Sequence, residues 1–374
     1  MAGVLSGTSG DGMDVVLARV LWESPGAERP VPAGLEPLAF ETLPFPGDLG
    51  PRVRAALDGA PLGPRELALL SRDLGLAFGG AAHELARRDG RELALVGSHG
   101  LTVYHHDGVA AERGASLQLG DGDHVAEAAG CVVVSDFRQG DLAAGGEGAP
   151  VSVLADDLVF AAASRPTTIL NLGGLANLSW LGEEGSLAAF DTGPANCLLD
   201  GFARRLLHRD HDEAGEVAAA GQVRPELLGR WLEHPFLRRR GPRSTGRDTF
   251  GEAWVQGLLA GAGPGVPPGD LLATAVELVA LAVQRGLEEL PEGSERLWVA
   301  GGGVHNLALM GALERCAGLP VASTAGLGVD PDAREALVFA ALAVRCVLGQ
   351  GVTCAAATGA RSGRPLGKIS PDPR

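Results

Sequence analysis

Lysine is almost absent. The single one, Lys368, lies near the end of the 374 residues, and arginine supplies nearly all of the positive charge. A Walker A phosphate loop needs Gly-Lys-Ser/Thr, whereas Lys368 is followed by Ile369, so that loop is excluded. Basic residues are outnumbered as well, 31 Lys and Arg against 46 Asp and Glu, for a formal charge of −15. Such a surface repels nucleic-acid phosphates and anionic lipid, which argues against partners of either kind. Cysteine is sparse and scattered: Cys131, Cys197, Cys316, Cys346 and Cys354 form no CxxC pair, and an odd number makes no complete disulfide framework. A reducing compartment fits best. Long apolar runs are missing too, since the nearest approach, residues 271–283, is interrupted by Glu277 and falls short of the roughly 18 residues of a membrane span. No basic-then-apolar leader opens the sequence, so a cytoplasmic location is expected.

Apolar residues make up 45% and charged residues 21%, ordinary for a folded chain, and the length suits two domains of roughly 100–200 residues each. Apolar, β-rich runs at 4–5 and 14–22 flank a small polar turn at 6–12, the pattern of a hairpin. About half a chain later, 168–172 and 178–181 flank Gly173-Gly174-Leu175-Ala176-Asn177 in the same way. The repetition predicts a duplicated α/β fold around a cleft, with its boundary at Arg165-Pro166. Residues 26–50 read as loop or irregular edge strand, 64–88 as an amphipathic helix, and 93–96 and 131–134 as buried strands around a helix at 121–129. Residues 149–163 read as a helix, as do 271–290, 306–316 and 333–348, with a buried strand at 296–300.

Three segments carry chemistry. Gly7-Thr8-Ser9-Gly10-Asp11-Gly12 joins three glycines to two hydroxyls and a carboxylate, which makes a lysine-free anion cradle or a plain hairpin turn. Gly301-Gly302-Gly303 follows a strand and precedes a helix, where bare backbone can meet a sugar or phosphate or simply tighten the connection. Phe190-Asp191-Thr192-Gly193-Pro194-Ala195-Asn196 puts a carboxylate at a strand end, as a general base or a turn-forming aspartate. The glycine doublets lack the third glycine of the dinucleotide fingerprint, and Gly97-Ser98-His99-Gly100 is no Gly-x-Ser-x-Gly elbow. His105-His106-Asp107 and His208 with His211 and Asp212 read as solvated surface rather than metal ligands, because adjacent residues on a strand face opposite ways.

In order along the chain, LSGTSGDGMD (5–14), GSHGLTVYHH (97–106), QLGD (118–121), DFRQGDLAAGGEGAP (136–150), NLGGLANL (171–178), FDTGPAN (190–196), RSTGRDTF (243–250), GGGVHN (301–306) and DAREALVFAALA (332–343) resemble the 1,6-anhydro-N-acetylmuramic acid kinase family of the sugar kinase, heat-shock chaperone and actin superfamily. The resemblance implies two related actin-like (ribonuclease H-like) ATPase domains around a hinged interdomain cleft, the first at 1–164 with 350–374 packing back on it, the second at 165–349. It implies ATP and Mg2+ as cofactors. Nucleotide contacts would fall at Gly7, Thr8, Ser9, Gly10, Asp11, Gly12, Met13 and Asp14 in a first phosphate loop and at Asn171, Gly173, Gly174 and Asn177 in a second. Gly301, Gly302, Gly303 and Asn306 would lie on the adenosine side, and Asp11 would hold the metal.

Asp191 matches the family's general base, and motif position puts His99, Asp136, Arg138 and Glu335 near the sugar. The implied reaction opens the anhydro bond with water and phosphorylates the 6-oxygen, giving N-acetylmuramic acid 6-phosphate and ADP in peptidoglycan recycling. Gly10 departs from the family pattern where a larger apolar residue is expected, Ala195 where a glycine is expected, and the lead-in to Ala356-Ala357-Thr358-Gly359-Ala360 is looser. Two other readings share these residues: a nucleotide-controlled binding module like a chaperone ATPase, and a kinase of an ordinary hexose. The expected partners are the sugar and ATP, and oligomeric state stays open, a homodimer included.

Overall fold

The computed structural model describes residues 1–7, 10–23, 30–106, 114–241, 243–246, 249–352, 355–361 and 363–374. The chain divides into two compact units, one of Met1–Ala163, Leu327–Val329 and Ala333–Arg374, the other of Ser164–Gly326 and Asp330–Asp332.

In the first unit β1 (Ala2–Ser6), β2 (Met13–Trp22) and β3 (Pro32–Leu43) form an antiparallel meander. β4 (Leu95–His106) lies parallel to β1, β5 (Ala115–Leu119) folds back antiparallel on β4, and β6 (Val132–Ser135) runs parallel to β4. The strand Lys368–Ser370 closes that edge antiparallel to β6. In the second unit β7 (Thr167–Leu172), β8 (Leu175–Leu181) and β9 (Leu187–Pro194) form another meander. β10 (Leu297–Ala300) then lies parallel to β7, and β11 (Val321–Ser323) parallel to β10. The orders β3-β2-β1-β4-β6 and β9-β8-β7-β10-β11 are the same topology with the same strand senses. The duplication read from the two hairpins therefore extends to a five-strand order that both sheets share, to which the first sheet adds β5 and Lys368–Ser370.

The proline- and glycine-rich segment at 26–50 holds the twelve-residue edge strand β3, whose register with β2 shifts beside Pro37. Proline is tolerated there because an edge strand leaves amides off the ladder. The helix Pro64–Arg88 buries Leu70, Leu74, Phe78, Ala82 and Leu85 on one face. Gly79 brings it against the helix Gly122–Ala129, since a Cβ there would stand 2.3 Å from the Val125 carbonyl oxygen. In the second unit the helix Pro268–Leu287 buries Leu271, Leu272, Ala275, Val276, Val279 and Val283 over β8 and β9. Among the described residues no helix is long and apolar enough to cross a membrane.

Two local readings change. Residues 149–163 make no continuous helix, only a 3-10 turn at Ser152–Ala155 and one α-turn at Asp156–Val159. Val151, Val153, Leu154, Leu158 and Val159 are all buried, so the segment lacks the solvent face of an amphipathic helix. The helix Arg334–Val347, within the span expected for the second domain, packs on β1 and β4 of the first unit. It approaches so closely that a Cβ on Gly3 would lie 1.9 Å from the Ala336 carbonyl oxygen and one on Gly97 2.1 Å from that of Phe339. Two ion pairs fasten it to the 152–159 segment, Arg334 to buried Asp156 at 2.5 and 3.1 Å and Arg345 to Asp157 at 2.5 Å.

Candidate active site

β9 carries Asp191, 5% exposed, opposite Asn177 of β8 beside a register shift. The Asp191 amide donates to the Arg243 carbonyl at 2.9 Å, and its Oδ2 accepts from the Thr245 amide at 2.8 Å. Glu289 anchors this returning segment: its Oε2 accepts from the Gly241 amide at 2.7 Å and from Arg243 Nη1 at 3.1 Å. The Arg243 guanidinium also sits 4.5 Å from the centre of the Phe190 ring. A carboxylate braced by main chain on a buried strand can accept a proton without disturbing its scaffold. Asn177 Oδ1, Thr245 Oγ1 and Arg243 Nε are buried with no hydrogen-bond partner among the described residues. Buried polar atoms in that state mark where a water or ligand completes the bonding.

In the first glycine turn the Gly10 amide donates to the Gly7 carbonyl at 3.1 Å, while Thr8 and Ser9 lie outside the described residues. Gly10 has φ +64°, and a Cβ there would stand 2.6 Å from Leu57 Cδ1 and 3.3 Å from Val53 Cγ1. The helix Leu49–Leu57 thus occupies the space that the expected larger apolar residue would need. A Cβ on Gly12 would meet the Leu43 carbonyl oxygen at 2.9 Å. Asp11 is exposed, Met13 is buried, and the Asp14 carboxylate accepts from the Thr42 hydroxyl at 2.7 Å.

The second turn is a tight Gly173-Gly174 link. Its carbonyls accept from Asn196 at 3.1 Å and from Ala195 and Cys197 at 3.0 Å, capping the helix Asn196–Leu206. These helix-start amides are therefore committed inside the protein rather than left to an anion. Ala195 is fully buried and has a negative φ of −136°, so this position does not call for the left-handed φ that favours glycine. The triple glycine closes onto the same place: a Cβ on Gly301 would lie 2.9 Å from Asn171 Oδ1, and one on Gly303 3.2 Å from Asn196 Oδ1. Asn171, Gly173, Gly301 and Gly303 are thus neighbours, with Gly302 leaving 3.9 Å to Asn196 Nδ2. Asn306 caps the helix Leu307–Cys316, its Oδ1 accepting from the Leu309 amide at 2.9 Å.

In the first unit His99 of β4 stacks flat on Phe339, centroids 4.0 Å apart. Arg138 Nη2 donates to His99 Nε2 at 3.2 Å, and the Thr102 hydroxyl lies 3.3 Å from the same nitrogen. Burial, with Arg138 and His105 nearby, holds the His99 pKa well below the usual value, so the ring is neutral. With Nε2 accepting, the ring proton sits on Nδ1, which is buried with no partner among the described residues. That leaves a directed donor of the kind a sugar oxygen takes. Burial pushes the Glu335 carboxyl up, while Arg334 and Arg138 draw it down, so Glu335 belongs to the same electrostatic cluster.

Asp136 has a different partner. It sits at φ +56° ahead of the helix Phe137–Ala143 and is paired with Lys368, the lone lysine. His105 corrects the expectation of solvated surface: both its ring nitrogens are buried without a partner among the described residues, and burial first, then Arg138 and His106, lower its pKa to about 4. Strand alternation turns Tyr104 outward, 55% exposed, and His105 in. Asp107 lies outside the described residues; His211 keeps to the surface, 2.9 Å from Glu213, but Asp212 is buried, its carboxylate accepting from the Val217 and Ala218 amides at 3.0 and 2.9 Å. Among the described residues no group of three or more His, Cys, Asp and Glu is placed to hold a metal by itself. Thr245, His105 and the Lys368–Asp136 pair were not singled out for the site by sequence, although Thr245 lies within RSTGRDTF.

The family model of anhydro-N-acetylmuramic acid kinase matches residues 1–372. The chain belongs to that family. Relatives named anhydro-N-acetylmuramic acid kinase include one from Gloeobacter violaceus, 39% identical over 99% of this chain and 98% of its own. Another from Salinibacter ruber is 38% identical over 99% and 96%, and one from Pseudomonas putida 37% identical over 99% and 98%. Membership in the anhydro-N-acetylmuramic acid kinase family makes the chain a kinase and favours neither the chaperone-like module nor a kinase of an ordinary hexose.

Proposed function

We propose that the chain uses ATP and water to convert 1,6-anhydro-N-acetylmuramic acid to N-acetylmuramic acid 6-phosphate and ADP, a step of peptidoglycan recycling in the cytoplasm. Alongside the family match, one observation carries the reading: a buried carboxylate, Asp191, braced by the Thr245 amide and flanked by buried polar atoms that have no partner among the described residues.

In this reading Asp191 takes a proton from a water whose oxygen bonds to the anomeric carbon, while the bond from that carbon to the 6-oxygen breaks. The released 6-oxygen bonds to the γ-phosphorus as the bond to the departing ADP oxygen breaks. Bound ATP supplies the phosphoryl group, and Mg2+ neutralises charge on its oxygens. We assign phosphate positioning to Gly7, Thr8, Ser9, Gly10, Gly12, Met13 and Asp14 and to Asn171, Gly173, Gly174 and Asn177. Gly301, Gly302, Gly303 and Asn306 are assigned to the adenosine side. Asp11, exposed at its turn, offers the oxygen that a hydrated Mg2+ prefers. Asn177 Oδ1, a buried acceptor beside the second turn with no partner among the described residues, fits the same role. His99, Arg138 and Glu335 orient the sugar, with Asp136 at their margin.

Turnover in heavy-oxygen water tests this. The label is expected on the anomeric hydroxyl within the first minutes, well above a control of N-acetylmuramic acid 6-phosphate incubated in the same water. Product formed without label above that control would refute the hydrolytic step, and no product at all would refute the substrate.

A further inference from the structure

The fork of Arg138 is shared. Its Nη1 donates to the Gly148 carbonyl at 2.8 Å while Nη2 reaches His99 Nε2 at 3.2 Å. A planar guanidinium has no freedom to satisfy one end without turning the other, so the Gly148 carbonyl sets where Nη2 points. The amide of the same residue, one peptide earlier, is held by Asp141, a fully buried carboxylate in the helix Phe137–Ala143, so Gly148 is fixed on both sides of its Cα. Asp141 Oδ2 accepts from the Gly148 amide at 2.9 Å, and Oδ1 accepts from the Thr358 hydroxyl at 2.7 Å. Residues 144–148 wrap the carboxylate so tightly that a Cβ on Gly146 would fall 2.2 Å from Oδ2. The main chain repeats the joint, with the Glu147 amide donating to the Thr358 carbonyl at 2.8 Å. Burial pushes the Asp141 carboxyl up, and Thr358, Gly148 and Arg138 pull it down. A carboxylate removed from water at such cost is kept there by the bonds it makes.

We propose that Asp141 is a positioning residue for sugar recognition. Through Gly148 it aims the Arg138 guanidinium at His99, and Thr358, from the far end of the sequence, completes its shell. This rests on reading Arg138 and His99 as sugar contacts.

Asp141→Ala removes the acceptor for the Gly148 amide. It is expected to raise the KM for the anhydro sugar roughly tenfold, with kcat and the KM for ATP changing less than about twofold. Asp141→Asn should restore most of the loss, since its amide oxygen can accept from Gly148 and its NH2 can donate to the Thr358 hydroxyl. A second readout needs no turnover: the His99 ring resonance, assigned among nine histidines by its loss in His99→Gln, should move in Asp141→Ala and return in Asp141→Asn. If Asp141→Ala does not fold, Thr358→Val is judged by the same two readouts. An unmoved His99 signal in the folded variant, or equal rises in both KM values, overturns the proposal. Failure of the unaltered protein to turn over the anhydro sugar would instead sink the functional reading, and the His99 signal would still decide the role of Asp141.

Discussion

The backbone amide of Thr245 donates to Asp191 Oδ2 at 2.8 Å, so the carboxylate proposed as the base is held by a group that no side-chain substitution at position 245 removes, short of proline. Asp191→Asn keeps an oxygen that can accept this bond and loses the proton-accepting charge. Steady-state turnover is expected to fall by about 10²–10⁴-fold, with the thermal unfolding midpoint little changed. Turnover within tenfold of the unaltered protein would show that the base lies elsewhere.

Gly10 combines a left-handed φ of +64° with a would-be Cβ 2.6 Å from Leu57 Cδ1. The leucine tip is flexible and can yield, so the backbone term dominates. Gly10→Ala should destabilise the fold by about 1–2 kcal/mol in urea unfolding and raise the KM for ATP without a matching rise for the sugar. An unchanged KM for ATP would separate this turn from the nucleotide.

Both hairpins were legible because a small polar turn between β-rich runs is a local signal, and the helix Pro64–Arg88 because its apolar stripe faces one core. The helix Arg334–Val347 was legible as a helix but not in its allegiance. It is apolar on nearly every side, and its place is set by Gly3 and Gly97, more than 200 residues earlier in the sequence, which allow it onto β1 and β4. Asp191 stood out as a carboxylate near a strand end. The brace from Thr245 did not, because a main-chain amide leaves no trace in residue type. His105 escaped for a related reason: alternation says that neighbours on a strand face opposite ways, not which of them faces in.

Arg334 and Asp156 are both buried and joined by two hydrogen bonds of 2.5 and 3.1 Å. Arg334→Met takes both of these bonds from a fully buried carboxylate and should cost about 3–5 kcal/mol in urea unfolding. The double variant Arg334→Met with Asp156→Leu should recover much of that loss, because the buried carboxylate that lost its guanidinium is gone as well. Because Glu335 and Phe339 ride on the same helix, the single variant should also weaken sugar binding. Equal stability of the single and double variants would contradict the argument.

His105 titrates at about 4 in the folded protein against an ordinary 6.5, lowered by burial and by Arg138 and His106. Below pH 6.5 the unfolded chain takes up the proton and the folded chain does not, so stability falls as pH drops through the interval from 6.5 to 4 and levels off beneath it. The size is on the order of 3 kcal/mol across the interval. The His99 pKa, lowered well below the usual value, acts in the same direction. His105→Gln should therefore flatten the decline in urea-unfolding free energy between pH 6.5 and 4 while leaving the slope above pH 7 alone. A pH profile that keeps its slope in the glutamine variant would mean that His105 is already protonated in the folded state.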